Sequence, residues 1–186
     1  QYNKNASSAA STTEDTQETV LDVNSDDITS FRYVYEGETY AFEKKDETWY
    51  YTDDHSLNLN QERIKAMILK VAPLKADQVI ENVTDMSQYG LADPERTIQY
   101  ETADRSVIIN VGNLNSMTSQ YYIAFPSEMK VYVVATNVVT GFNYTLEDLV
   151  EETTEATETA ETETAETETT EAVETVETET AATEAN

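Results

Sequence analysis

The chain has 186 residues, 11 Lys+Arg against 37 Asp+Glu, a formal net charge of -26, four glycines, three prolines, one histidine and no cysteine. Such an acid surplus repels nucleic acid, whose binders need clustered Lys and Arg to displace counterions; without cysteine there is no disulfide framework or thiolate metal site, and His55 alone cannot build a multi-histidine one. No run approaches the roughly 18 consecutive apolar residues that a spanning helix needs.

In chain order, residues 1–27 come first. They carry Lys4 against six acids, and the stretch from Gln1 to Thr13 is rich in Ser, Thr, Ala and Asn, a composition that predicts a flexible linker. The first residue is Gln1 rather than Met, which leads us to expect an upstream segment that was cleaved or left out. A hydrophobic anchor there, followed by the linker, would hold the rest clear of a bilayer.

Residues 28–150 hold ten basic and 18 acidic residues and read as one domain, long enough to bury about two-thirds of its surface. Phe31, Tyr33 and Tyr35 alternate, Glu36-Gly37 turns, Tyr40 and Phe42 alternate, Lys45-Asp46 turns, and Trp49 and Tyr51 follow. This period of two predicts a three-stranded antiparallel meander. The period then changes: Ile64, Met67, Ile68 and Val71 lie at i, i+3, i+4 and i+7, the apolar stripe of a helix. Asn60 suits its N-cap, Leu59 and Ile64 suit a hydrophobic staple, and Pro73 stops it.

Asp77–Val83 reads as a short strand, and a loop around Tyr89-Gly90-Leu91 leads to Asp93-Pro94. Four strand-like runs follow, Thr97–Thr102, Ser106–Val111, Gln120–Phe125 and Lys130–Ala135, with turns at Asp104 and Pro126–Glu128 and a longer loop at Gly112–Met117. Thr145 and Asp148 form a capping-box pair that opens a short helix at Leu146–Val150. The expected class is α+β: antiparallel meanders, one main amphipathic helix and a short C-terminal helix.

Residues 151–186 contain 13 Glu, 13 Thr, seven Ala, two Val and one Asn, with no Lys or Arg. In a helix, like charges at i,i+3 would face one another, and there is little apolar surface to offset chain entropy, so a disordered polyanion is expected. Its plainest role is a solubilising spacer that keeps the protein monomeric.

The succession of Trp49-Tyr50-Tyr51, an amphipathic helix, Tyr89-Gly90-Leu91-Ala92-Asp93-Pro94, Ile108-Ile109-Asn110-Val111-Gly112 and Val131-Tyr132-Val133-Val134 resembles a bacterial domain-of-unknown-function family, DUF4340. The resemblance covers about Ile28 to Val150 and neither arm. It implies an extracytoplasmic domain tethered by one N-terminal membrane helix, some of whose relatives sit beside components of gliding-motility-type ABC transporters. It implies no catalytic residue. On physical grounds Gly90 supplies a positive-φ turn, Leu91 anchors the loop, and Pro94 extends Asp93; the alternative is a recognition loop.

Chemistry is sparse. Asp53-Asp54-His55 alone mixes carboxylates with imidazole, and it reads as a solvated turn rather than a metal site; Asp26-Asp27 reads as a cap on the first strand. No nucleophile elbow, phosphate loop or dinucleotide fingerprint occurs. We therefore expect no catalytic, cofactor or metal residues. Tyr50-Tyr51 and Tyr121-Tyr122 must each place one ring on either face of a strand, so one set either offers an exposed contact surface or lies on a half-wet sheet. The expected function is that of a non-catalytic accessory or binding module of a cell-envelope complex, with an envelope or transporter protein as partner. The alternatives are a surface glycan- or peptide-binding domain and a carboxylate-dependent hydrolase.

Overall fold

The computed structural model describes residues 17–151, so the expectations for residues 1–16 and for the tail from residue 152 fall outside it. In order, the elements are β1 (Glu18–Leu21), β2 (Ile28–Tyr35), β3 (Glu38–Lys45), β4 (Thr48–Tyr51), α1 (Gln61–Ile68), β5 (Leu74–Ala76), β6 (Gln78–Glu81), β7 (Arg96–Thr102), β8 (Ser106–Asn115), β9 (Gln120–Ala124), β10 (Lys130–Ala135), α2 (Thr136–Thr140) and α3 (Leu146–Leu149). Eight strands make one sheet in the order β4-β3-β2-β7-β8-β9-β10-β6, and β1 pairs with β5 in a second, two-stranded sheet. All pairings are antiparallel, so the class is α+β with a sheet-rich character. Among the described residues no helix is long and apolar enough to cross a membrane.

Both meanders form. They are fused through β2 and β7, which sets Phe31 beside Tyr100 and Tyr33 beside Ile98. The two hairpin turns of the first meander are Glu36-Gly37 (φ 53 and 81) and Asp46-Glu47 (φ 48 and 63). Positive φ at both central residues is the turn whose twist matches that of paired strands. The second turn falls one residue later than predicted.

α1 begins as its sequence requires, with the Asn60 Oδ1 accepting from Arg63 N at 2.8 Å and with Leu59 and Ile64 both buried. It ends at Ile68, ahead of the predicted stop at Pro73, because Lys70 N bonds Met67 O and Val71 N bonds Ile68 O, tightening the chain into i→i+3 turns. Val71 still reaches the core, from a turn, before the cis Ala72–Pro73 bond.

Two expectations are corrected and one element is new. Within the stretch expected as linker, residues 1–27, Glu18–Leu21 form β1, whose Glu18, Thr19 and Leu21 stand opposite Ala76, Lys75 and Leu74. Val20, Leu21 and Val23 supply the apolar surface that holds this segment on the core. The loop predicted at Gly112–Met117 starts later, because β8 continues to Asn115 past an irregularity between Val111 and Leu114. Finally α2 was not foreseen: Thr and Val are poor helix formers, but burial of Val138 and Val139 overrides propensity.

The helices lie on one face of the large sheet. There Phe31, Tyr33, Phe42, Trp49, Ile98, Tyr100 and Ile109 meet Ile64, Met67, Val139, Phe142 and Leu149 in one core. Phe31 stacks on Phe42 at 4.8 Å between centroids and takes the edge of Trp49 at 5.1 Å. The buried Tyr33 hydroxyl donates to Tyr144 O at 2.9 Å, which satisfies it. On the opposite face, the segment between β6 and β7 folds back so that Val83 and Leu91 pack with Ala124 and Val131 in a smaller cluster. It covers the β9–β10 half and leaves the backs of β4, β3, β2 and β7 open.

Candidate functional site

Alternation along the strands determines what the open face carries. With Phe31 and Tyr33 turned to the core, Ser30 and Arg32 point away, and so do Ala41 and Glu43 of β3, Tyr50 of β4, Gln99 and Glu101 of β7 and Ser106 and Ile108 of β8. Register then lines them up. One row runs Tyr50, Glu43, Ser30, Glu101, Ser106; the next runs Ala41, Arg32, Gln99, Ile108. Between them lies a shallow depression of about 270 Å³ lined by Ser30, Arg32, Ala41, Glu43, Gln99 and Glu101, among others.

The side chains there form three separate polar groups. Arg32 donates from Nε and Nη2 to Gln99 Oε1 at 2.9 and 2.6 Å, Gln99 Nε2 donates to Ser106 Oγ at 3.3 Å, and Ser30 Oγ donates to Glu101 Oε2 at 3.4 Å. At the β4 end, Glu43 Oε1 receives both Lys45 Nζ at 2.8 Å and His55 Nε2 at 2.6 Å. The His55 ring lies 5.3 Å from that of Tyr50. The hydrogen bond from Lys45, then its charge and that of His55, holds the Glu43 carboxyl below its usual range. Asp54, Asp85 and Asp148 are likewise lowered, by Ser56, Ser87 and Thr145. A lowered carboxyl is a fixed anion, whereas a general acid needs a raised one. No charged residue is buried among the described residues.

The residues weighed from sequence take these places. Asp54 accepts from Ser56 N and Oγ at 2.9 and 2.6 Å, while His55 turns to Glu43, so the Asp53-Asp54-His55 run does not converge on a point. The cap before β2 is Asn24, whose Oδ1 accepts from Asp26 N at 3.2 Å; Asp26 and Asp27 lie within the turn it caps. Each tyrosine pair does split across its strand. Tyr51 and Tyr121 join the core, Tyr50 meets His55, and Tyr122 meets Tyr89 at 5.0 Å. All 11 described tyrosines are buried or half-buried, so an exposed aromatic platform does not form. Sequence reading missed the Glu43–His55 and Arg32–Gln99 pairs, whose partners are separated in sequence and meet only through strand register or loop return.

Tyr89-Gly90-Leu91 is a packing device. Gly90, at φ 71, ends the short turn Ser87–Tyr89, and its N–H bonds Ser87 O at 3.0 Å. Leu91 is buried. A Cβ on Gly90 would lie 2.4 Å from Asn113 Oδ1, and one on Gly112 would lie 2.2 Å from Tyr89 O. The Tyr-Gly-Leu run and the Val-Gly end of Ile108–Gly112 therefore cross at van der Waals distance, each needing glycine.

Two sequence signatures that looked separate thus form one contact, and the pattern of a domain of unknown function, DUF4340, matches residues 49–185. The chain belongs to that family. The DUF4340 match starts at Trp49 in β4 and runs into the Glu/Thr-rich tail, whereas the resemblance was expected over Ile28 to Val150. β1, β2 and β3 thus precede the matched span. No curated protein and no solved structure matches the chain.

Proposed function

We propose that this DUF4340 chain is a non-catalytic binding module of a cell-envelope complex, tethered to the membrane outside the cytoplasm, with a transporter component as its partner. The observation that carries the reading is the open face of β4, β3, β2 and β7. Its side chains are pre-arranged by hydrogen bonds, its carboxyl Glu43 is a fixed anion, and its Ile108 is exposed beside Gln99. Such a surface favours a protein partner, which supplies complementary donors and acceptors over a broad, nearly flat area. Glycan stacking is disfavoured by the lack of exposed tyrosine among the described residues.

The test is chemical crosslinking of the full chain in the membranes of cells that make it, with affinity recovery and mass spectrometry. Wild type should enrich an envelope protein, and an Arg32→Ala/Gln99→Ala variant, which leaves the core untouched, should recover much less of it. Equal recovery by both, or enrichment of nothing by wild type, refutes the reading.

A further inference from the structure

A second surface lies away from the open face, on the helix side of the sheet. A groove of about 810 Å³ runs between β3 and α3, lined by Tyr40, Leu57, Leu146 and Val150, with Thr145 and Glu147 at its margin. The volume is in the range of sites that take a bulky side chain or short peptide. All four apolar residues rest on the core with one side and remain partly accessible on the other. The floor is therefore greasy, held from behind, and uncovered by any described residue.

The margin is strongly acidic. Glu147 lines the groove, and Asp148 is its neighbour in the first turn of α3. Glu36 and Glu38 lie at the β2–β3 turn, close enough that, after burial, the charges of Glu38, Glu36, Asp148 and Glu147 hold the Tyr40 hydroxyl above its ordinary range. Glu151 follows Val150 directly, its N–H bonded to Asn58 O at 2.8 Å, so the acid-rich tail also sets out from this rim. None of the salt bridges at Glu43, Glu62 and Glu81 involves these carboxylates, although Arg63 donates from Nη1 to Asp148 O and, after the bonds from Thr145, its charge helps hold the Asp148 carboxyl low.

Resting on the reading of this chain as a binding module, we propose that this groove takes an amphipathic basic segment of the partner protein, one that sets aliphatic side chains on Tyr40, Leu57, Leu146 and Val150 and Lys or Arg against the acidic rim. Charge chooses among occupants. A second copy would bring the same carboxylates to the same rim. The chain's own tail brings 13 Glu and only Val173 and Val176 as aliphatic anchors larger than Ala. Only a cationic segment relieves the repulsion that the rim already carries.

The test uses a fluorescein-labelled peptide of alternating Leu and Lys, titrated with the full chain and followed by anisotropy, beside a Leu/Glu peptide of equal length. Three variants separate the groove from the general field of an acidic protein. Glu36→Gln/Glu38→Gln/Glu147→Gln removes three rim charges, Asp46→Asn/Glu47→Gln/Asp104→Asn removes three at the opposite strand ends, and Leu57→Asn removes one apolar wall residue. The rim variant and Leu57→Asn should each weaken the Leu/Lys peptide by about tenfold, while the distal variant changes affinity by less than about twofold. Equal weakening by rim and distal variants shows field binding alone and overturns the proposal. So does self-association of the full chain in sedimentation that the rim variant or Leu57→Asn abolishes, which marks a second copy as the occupant, or tighter peptide binding after Val173→Ser/Val176→Ser, which marks the tail. A photo-crosslinker placed at Leu57 and, separately, at Ile108 in native membranes distinguishes the two levels. Adducts from Ile108 alone sink the groove and leave the module reading standing; adducts from neither sink both.

Discussion

Replacement of Gly112 by Ala tests the crossing that links the two signatures. The new Cβ would stand 2.2 Å from Tyr89 O and 2.8 Å from Leu91 Cγ. The obstructing oxygen is backbone and cannot rotate aside, so the segment between β6 and β7 must lift from β8. Forced overpacking costs about 1–3 kcal/mol, and a backbone obstacle puts this site at about 3 kcal/mol. At Gly37, where φ is 81 but nothing lies within 4 Å of a Cβ, only the left-handed backbone is penalised, at about 1 kcal/mol. Gly90 lies between, because its φ of 71 adds strain but the nearest obstacle, Asn113 Oδ1, is a movable side chain. Urea and thermal unfolding followed by Trp49 fluorescence measure all three, since Trp49 is buried in the main core and reports global loss of structure. The Gly112 variant should lose on the order of 10 °C in Tm, roughly three times the shift of the Gly37 variant. Adding Asn113→Ala should partly rescue Gly90→Ala and leave Gly112→Ala unrescued. A Gly112 variant no less stable than the Gly37 variant refutes the reasoning.

Tyr33→Phe removes the donor to Tyr144 O and leaves that carbonyl unpaired inside the protein, so unfolding should become easier by about 1–2 kcal/mol, read by the same urea titration. At high pH, burial pushes the Tyr100 hydroxyl up to about 12, and burial with donation to Glu128 does the same for Tyr132. The unfolded chain loses these protons near pH 10 while the native state retains them, so stability is full below about 10 and falls as pH rises towards 12. Tyrosinate absorbance should then show a late, cooperative phase that coincides with unfolding; a single smooth titration near 10 contradicts the burial. At low pH the sign reverses. Glu43, Asp54, Asp85 and Asp148 are held below their usual range, so stability is present above about pH 5 and declines as pH falls through their native titrations, a decline that Asp148→Asn should flatten.

Where side-chain period was long and strong, the fold was legible in the chain. The strands around Phe31–Tyr51 and Thr97–Ala135, the α1 stripe with its Asn60 cap and the Thr145–Asp148 capping box all stand where residue spacing puts them. The union of the two meanders was not legible, because β2 finds β7 across more than sixty residues and no local pattern names a partner strand. β1 and β5 are four and three residues long, too short for a period to declare itself, and β1 lies in a stretch whose polar composition reads as linker. α2 runs against propensity and follows from burial of two valines. The open face was half legible: alternation says which residues turn away from Phe31 and Tyr33, but only register puts Glu43 next to Ser30 and Arg32 next to Gln99. The tyrosines show the opposite limit. Their split across the strands follows from adjacency, but their burial depends on the His55 loop and on Tyr89 returning to cover them.

The central claim is that the open sheet face meets a protein partner, and site-specific photo-crosslinking tests it most directly. Ile108, exposed at the end of the Ala41–Arg32–Gln99 row, is replaced by a photoreactive residue in the full chain, and Asp104 in the β7–β8 turn serves as the control position. In native membranes the account predicts one discrete adduct from Ile108, containing an envelope protein, and none from Asp104. No adduct at Ile108, or the same adducts at both positions, contradicts it.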